Sequence, residues 1–117
     1  MNDIQLKLCD IQGRLFELSS DMNYGSANFV KTFMTSEVAK ALDSTYNRMQ
    51  WAGEEYLLEE LVDISGGKIT AEGQVFPKDV LYWMGYLYRY WHYYTKEDSS
   101  KIYKQAPVGT MKRNYLL

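Results

Sequence analysis

The chain is poor in the residues that usually carry recognisable chemistry. It has one cysteine, Cys9, among 117 residues. A lone cysteine excludes an intrachain disulfide framework and a cysteine-rich zinc site, and it fits a reducing cytoplasm. It has one histidine, His92. Di-iron carboxylate bundles need Glu-x-x-His pairs on facing helices, and the residue three places before His92 is Arg89. Long apolar runs are missing too. Spanning a bilayer takes about 18 consecutive apolar residues. The most apolar stretch, LYWMGYLYRYWHYY, is rich in hydroxyls and interrupted by Arg89. The opening MNDIQLKLCD has no basic region followed by an apolar one, so it does not read as a secretory signal. A phosphate-binding loop, a dinucleotide glycine fingerprint, HExxH and GxSxG are also absent. These gaps leave no residue to assign to catalysis, a metal or a cofactor, and no segment to assign to a membrane.

What is present suffices for one domain with one core, residues 1–117. Hydrophobic residues make up 46% of the chain and charged residues 24%, ordinary values for a globular protein. The formal net charge of −2 hides an asymmetry. Residues 1–88 carry seven Lys and Arg against thirteen Asp and Glu, whereas residues 89–117 carry six against two. The acidic part suits a basic partner, and the basic tail suits an acidic surface or nucleic acid. The competing reading is that the two parts neutralise each other inside the fold.

Helical periodicity dominates the chain. Ile4, Leu8, Ile11, Leu15 and Leu18 fall on one stripe about 80° wide, with Asn2 or Asp3 placed to cap the start. Gly13 lies off that stripe, where it weakens the helix without disturbing packing. Ser19–Ser20–Asp21 ends the helix, and residues 23–26 read as a loop. Residues 27–42 read as helical with a kink, because Thr35–Ser36 before Glu37 can cap a new turn. Residues 51–64 form a further helix with Trp51, Leu57, Leu58, Leu61, Val62 and Ile64 on its apolar face. Gly66–Gly67 terminates it. Residues 66–76 have no helical period and read as a small hairpin or ordered loop. Pro77 suits a helix start and opens a long helix to about Thr95. Ser100–Gln105 reads as a short helix stopped by Pro107, and Thr110 as the cap of a last segment, Met111–Leu117. The sum is a mostly all-α bundle of about four to six helices around a central aromatic helix. The apolar ending implies a tail that packs back on the domain or a chain that continues further.

The aromatic helix is the most informative segment. Eight of the thirteen residues from Tyr82 to Tyr94 are Tyr or Trp. On a helical wheel Val80, Trp83, Met84, Leu87, Trp91 and Tyr94 form a core stripe, opposite a face of Tyr82, Tyr86, Arg89 and Tyr93. Two readings compete for that second face. A helix apolar all round is usually buried. Tyr and Arg, however, are the residues enriched at binding hot spots, and rows of aromatics also stack on single-stranded nucleic acid. Glu55, Glu59 and Asp63 step by four along the preceding helix and read as a solvated face or a contact for a basic partner. Lys101, Lys104, Lys112 and Arg113 make the C-terminal segment basic. A nucleic-acid reader would place residues 111–117 in the major groove.

Two stretches, SEVAKALDSTYNRMQWAGEEYLLEEL (residues 36–61) and VLYWMGYLYRYWHYYTKEDSSKIYKQAPVGTMKRNYL (residues 80–116), resemble a family of small antitoxin-like proteins of Gram-positive-type bacteria. Its members are encoded beside genes for ADP-ribosyltransferase-like toxins. The resemblance rests on overall pattern, chiefly WAGEEY and GYLYRYWHYYT, and brings no residue assignments with it. It implies a cytoplasmic binding protein, not an enzyme, that neutralises a cognate toxin by direct contact. The helical wheel and the acidic stripe, not the resemblance, offer Tyr82, Tyr86, Arg89, Tyr93, Glu55 and Glu59 as the contact residues. A DNA-binding regulator using Lys101, Lys104, Lys112 and Arg113 is the alternative. Self-association into a homo-oligomer is compatible with either. Members of the family continue past the equivalent of Leu117, so an incomplete C-terminus is also expected.

Overall fold

The structure, a computed structural model, describes residues 1–115. The expectations about the final two residues therefore lie outside the described residues. Helices α1 (Asp3–Asp21), α2 (Ser26–Met34) and α3 (Glu37–Asp43) lead through a 3-10 turn (Arg48–Trp51) to α4 (Glu54–Ile64). A long loop then joins α5 (Lys78–Thr95), α6 (Ser99–Gln105) and α7 (Val108–Tyr115). The architecture is all-α, as the periodicity predicts, with no strand among the described residues.

Local chemistry explains the boundaries. Asn2 caps α1 in a capping box, its side chain accepting from the Gln5 N–H at 2.8 Å while Gln5 returns to the Asn2 N–H. The kink expected within residues 27–42 is a full break. Ser36 accepts from the Ala39 N–H at 3.1 Å and starts α3 afresh, which raises the helix count among the described residues to seven. Gly66 and Gly67 both take positive φ, 63° and 83°, after α4. The 66–76 segment is an ordered loop rather than a hairpin. It is pinned to the start of α2 by Gly25 N–H to Thr70 O (2.8 Å), Ser26 N–H to Gln74 O (2.9 Å) and Asn28 to both Thr70 and Glu72. The Gly25 and Ser26 bonds occupy two of the backbone amides that a helix N-terminus leaves free, and the Asn28 side chain supplies the rest of the pin. Two expected boundaries move. Trp51 lies in the 3-10 turn ahead of α4, and Thr110 lies inside α7 rather than at its cap.

The core assembles on the antiparallel pair α1 and α5. Gly13 and Gly85 set how close the two helices come. A Cβ on Gly85 would lie 2.5 Å from the Gln12 carbonyl oxygen, and one on Gly13 would lie 2.7 Å from the Tyr82 ring. The expectation that Gly13 lies off the packed face is thus corrected, since it is buried at the crossing. Phe16, on the same side of α1, meets Phe29 and Phe33 edge-on at 5.4 and 5.5 Å. The α1 stripe is correspondingly wider than expected. Leu8, Ile11 and Leu15 are buried, but so are Cys9, Gln12, Phe16 and Ser19, while Ile4 is 48% exposed.

Helix α5 is rotated from its expected setting by about a quarter-turn. Its buried residues are Val80, Leu81, Met84, Gly85, Tyr88 and Arg89. Trp83, Leu87 and Trp91 are only partly buried, and Tyr94 is 80% exposed. Trp83 is flanked by Tyr115 of α7 at 5.3 Å, whose hydroxyl donates to Asp79 at 2.8 Å.

Candidate binding surface

Arg89, on the face for which burial and partner binding compete, is completely buried, so at this residue the binding reading is corrected to a core one. Its Nη1 donates to Asp43 Oδ1 at 2.7 Å, Nε to Gln12 Oε1 at 2.8 Å, and Nη2 to Ser99 Oγ at 3.3 Å. Ser99 in turn donates its N–H (2.8 Å) and hydroxyl (2.7 Å) to Asp43, and Gln12 donates to the Gly85 carbonyl at 2.9 Å. One guanidinium therefore ties α1, α3, α5 and α6 together. No buried side-chain polar atom among the described residues lacks a partner, the condition under which a buried charge is tolerated. Arg89 is a structural strut and cannot contact a partner.

The tyrosines expected beside it divide. Tyr82 is half-buried against α1 and donates to Asp10 at 2.6 Å. That bond, with burial and the Asp10 charge, pushes its hydroxyl up to about 12. Tyr86 leans on Tyr82 at 6.0 Å. Tyr93 lies under Arg89, whose Cζ is 5.9 Å from the ring centroid. Tyr90 and Tyr94 stack at 6.5 Å on the outward side of the same helix. Residues 82, 86, 90 and 94 thus form a tyrosine ladder at four-residue spacing, with its solvent-facing rungs at the C-terminal end.

That end of α5 meets the start of α1 and the segment between α3 and α4. Between them lies a groove of about 600 Å³ bordered by Ile4, Leu8, Tyr46, Trp51, His92 and Tyr93. Asp43 and Lys96 also reach it. Tyr46 is 83% exposed and Trp51 58%. Asn47 caps the 3-10 turn by accepting from the Met49 N–H at 2.9 Å, and buried Gln50 donates to the Ser44 carbonyl at 2.8 Å. The loop is therefore held in shape while its two aromatic side chains stay outside. Trp51, which the periodicity assigns to the apolar face of residues 51–64, and Tyr94, which it assigns to the α5 core stripe, are both corrected to surface residues. His92 has a defined orientation. Its Nδ1 is 2.6 Å from the Glu97 carbonyl, which can only accept, so Nδ1 carries a proton.

The other predicted residues lie elsewhere. Glu55 and Glu59 are exposed on α4 and border a different groove with Leu18 and Met22, near the opposite end of α1. The basic residues lie on α6 and α7 in differing surroundings. Lys112 lies over the Phe76 ring at 4.5 Å and donates to Gln74, Lys101 pairs with Glu97 at 3.4 Å, and Lys104 and Arg113 are exposed. Cys9 is fully buried, and burial raises its thiol to about 11. Among the described residues no group of three or more His, Cys, Asp or Glu side chains is arranged to hold a metal, and no helix is long and apolar enough to cross a membrane.

Sequence reasoning missed Tyr46, Trp51, Tyr90 and Tyr94. For Trp51 a signal was available. Gly53, which takes a φ of 83°, separates it from the acidic first turn of α4, so it precedes the helix. The chain matches no protein-family model, no curated protein and no solved structure.

Proposed function

We propose that this protein is an antitoxin-like binding protein that neutralises a cognate toxin by direct contact. The single observation behind the proposal is the aromatic groove at the α1 start and α5 end. Three large apolar side chains, Ile4, Tyr46 and Trp51, stand exposed around one concavity. Exposed apolar side chains scattered singly are normal, but grouped around a concave site they mark interaction surfaces, and Trp and Tyr dominate binding hot spots. The proposed partner face moves accordingly from Tyr82 and Arg89 to Ile4, Tyr46, Trp51 and Tyr93. The similarity of residues 36–61 and 80–116 to the antitoxin-like family supports the same reading.

Co-expression with the toxin-like product of a neighbouring gene tests it. The two proteins should copurify, co-elute on size exclusion and restore growth to cells arrested by the toxin. Trp51→Ala should weaken the complex by at least about tenfold, the scale of one hot-spot side chain, with little change in thermal midpoint. Absence of a complex together with absence of rescue overturns the proposal. The nucleic-acid alternative needs a gel shift that weakens steeply with salt. Lys112 packed on Phe76 and Lys101 paired with Glu97 reduce the basic surface available for it.

A further inference from the structure

A second concavity lies between the C-terminal part of α1 and α4, with a volume of about 390 Å³. Leu18, Met22, Leu58 and Val62 form its apolar floor, and Met22 is 52% exposed. Glu55, Glu59 and Asp63 line it at four-residue intervals along α4. Their charges are uncompensated, since none of the three takes part in an ion pair among the described residues. The arrangement is unfavourable to the helix that carries it. Like charges one turn apart repel. Asp63 also sits in the last turn, where the helix dipole disfavours an anion, and that turn holds no basic residue.

An open apolar floor and an edge of unpaired carboxylates together define what fits. We propose that this groove docks a basic amphipathic helix of a partner protein. The apolar face of that helix seats on Leu18, Met22, Leu58 and Val62. Its Lys or Arg side chains, repeating every four residues, pair with Glu55, Glu59 and Asp63. From Glu55 to Asp63 the edge runs about 12 Å, a little over two helical turns, so an occupant of three to four turns covers it. An apolar face laid into a groove is a recurrent mode of helix recognition. Here the charges set register and choice of partner more than raw affinity. The groove also stands apart from the aromatic one, because Leu18 and Ile4 are about 21 Å apart along α1. The inference extends the reading of a protein partner but does not depend on the partner being a toxin.

The test uses the full chain and a synthetic helical peptide with leucines on one face and lysines every four residues along its edge. A control peptide carries glutamates in place of the lysines. In a nitrogen-15 NMR titration at low salt, the lysine peptide should shift amides around Leu18, Met22, Leu58 and Val62 and leave those around Tyr46 and Trp51 unmoved. Affinity should fall by about tenfold on adding salt to shorten the screening length, and by a similar factor in Glu59→Lys. A thermal midpoint equal to or above that of the parent chain, as relief of the like-charge repulsion requires, will show that this exposed variant is folded. Equal binding of the glutamate peptide, shifts centred on the aromatic groove, or no shifts at millimolar peptide would each overturn the inference. A chain that takes the peptide here but forms no toxin complex refutes the antitoxin reading alone. A toxin complex unaffected by Glu59→Lys, with no peptide binding, refutes the acidic groove alone.

Discussion

Arg89→Met offers the sharpest test of the fold. Methionine keeps an unbranched apolar stem in place and removes the guanidinium. Asp43, only 10% exposed at its side chain, would keep its bonds from Ser99 but lose its counter-ion. Gln12, fully buried, would lose the donor to its Oε1. Removing one member of a buried ion pair costs about 3–5 kcal/mol, because the other charge remains behind unpaired. The surviving Ser99 bonds soften the loss and the orphaned Gln12 oxygen deepens it by about 1–3 kcal/mol, so we expect about 4 kcal/mol. Domains of this kind are stable by about 5–15 kcal/mol in total, so this loss is severe. At about 4 °C per kcal/mol for a chain of this length, the thermal midpoint should drop by about 16 °C. Urea unfolding followed by tryptophan fluorescence measures the loss, with an unchanged denaturant slope confirming a two-state comparison. The double variant with Asp43→Asn should recover part of it, since no unpaired charge then remains. A loss below about 1 kcal/mol, the scale of an exposed ion pair, would refute the strut and return Arg89 to the surface.

Three further outcomes follow from the geometry. Gly85→Ala should destabilise the fold by about 1–3 kcal/mol despite alanine's better helix propensity, because its Cβ would lie 2.5 Å from the Gln12 carbonyl; an unchanged urea midpoint would mean that α1 and α5 separate freely. Cys9, with its thiol raised to about 11 and no exposure, should react with a thiol reagent at pH 8 only as fast as the chain unfolds, and rapid labelling of native protein would contradict this. Stability should also fall as the pH climbs above about 10, the ordinary tyrosine value. Tyr82 is raised to about 12 by its bond to Asp10, and Tyr88 is raised by burial. The native state therefore holds protons that the unfolded state has released, so the stabilisation is complete below about 10 and disappears as the pH rises through the folded values. Constant stability between pH 9 and 11.5 in urea melts would remove that account.

Much of the local architecture was legible because it depends on near neighbours. The Asn2 cap, the new start at Ser36 and the Gly66–Gly67 stop are contests between adjacent backbone groups and side chains a few residues away. The apolar stripe of α4 at Leu57, Leu58 and Leu61 was legible for the same reason. The setting of α5 was not. A helical wheel ranks side chains by polarity, which puts Leu87, Trp91 and Tyr94 on the core stripe and Arg89 on the face opposite it. Burial instead followed close approach. The two glycines let α1 lie against α5, so the buried sector runs through Gly85, Tyr88 and Arg89.

From the sequence alone follow an all-α fold, its breaks, the long aromatic helix and an acidic edge on α4. Each is set by spacing within one element. The inward turn of Arg89 was decided only by tertiary structure, because Asp43 and Gln12, the groups that make its burial affordable, arrive from other helices. The aromatic groove was decided the same way. Ile4, Tyr46, Trp51 and Tyr93 share no periodicity, and only the meeting of the α1 start, the α5 end and the α3–α4 segment brings them to one groove.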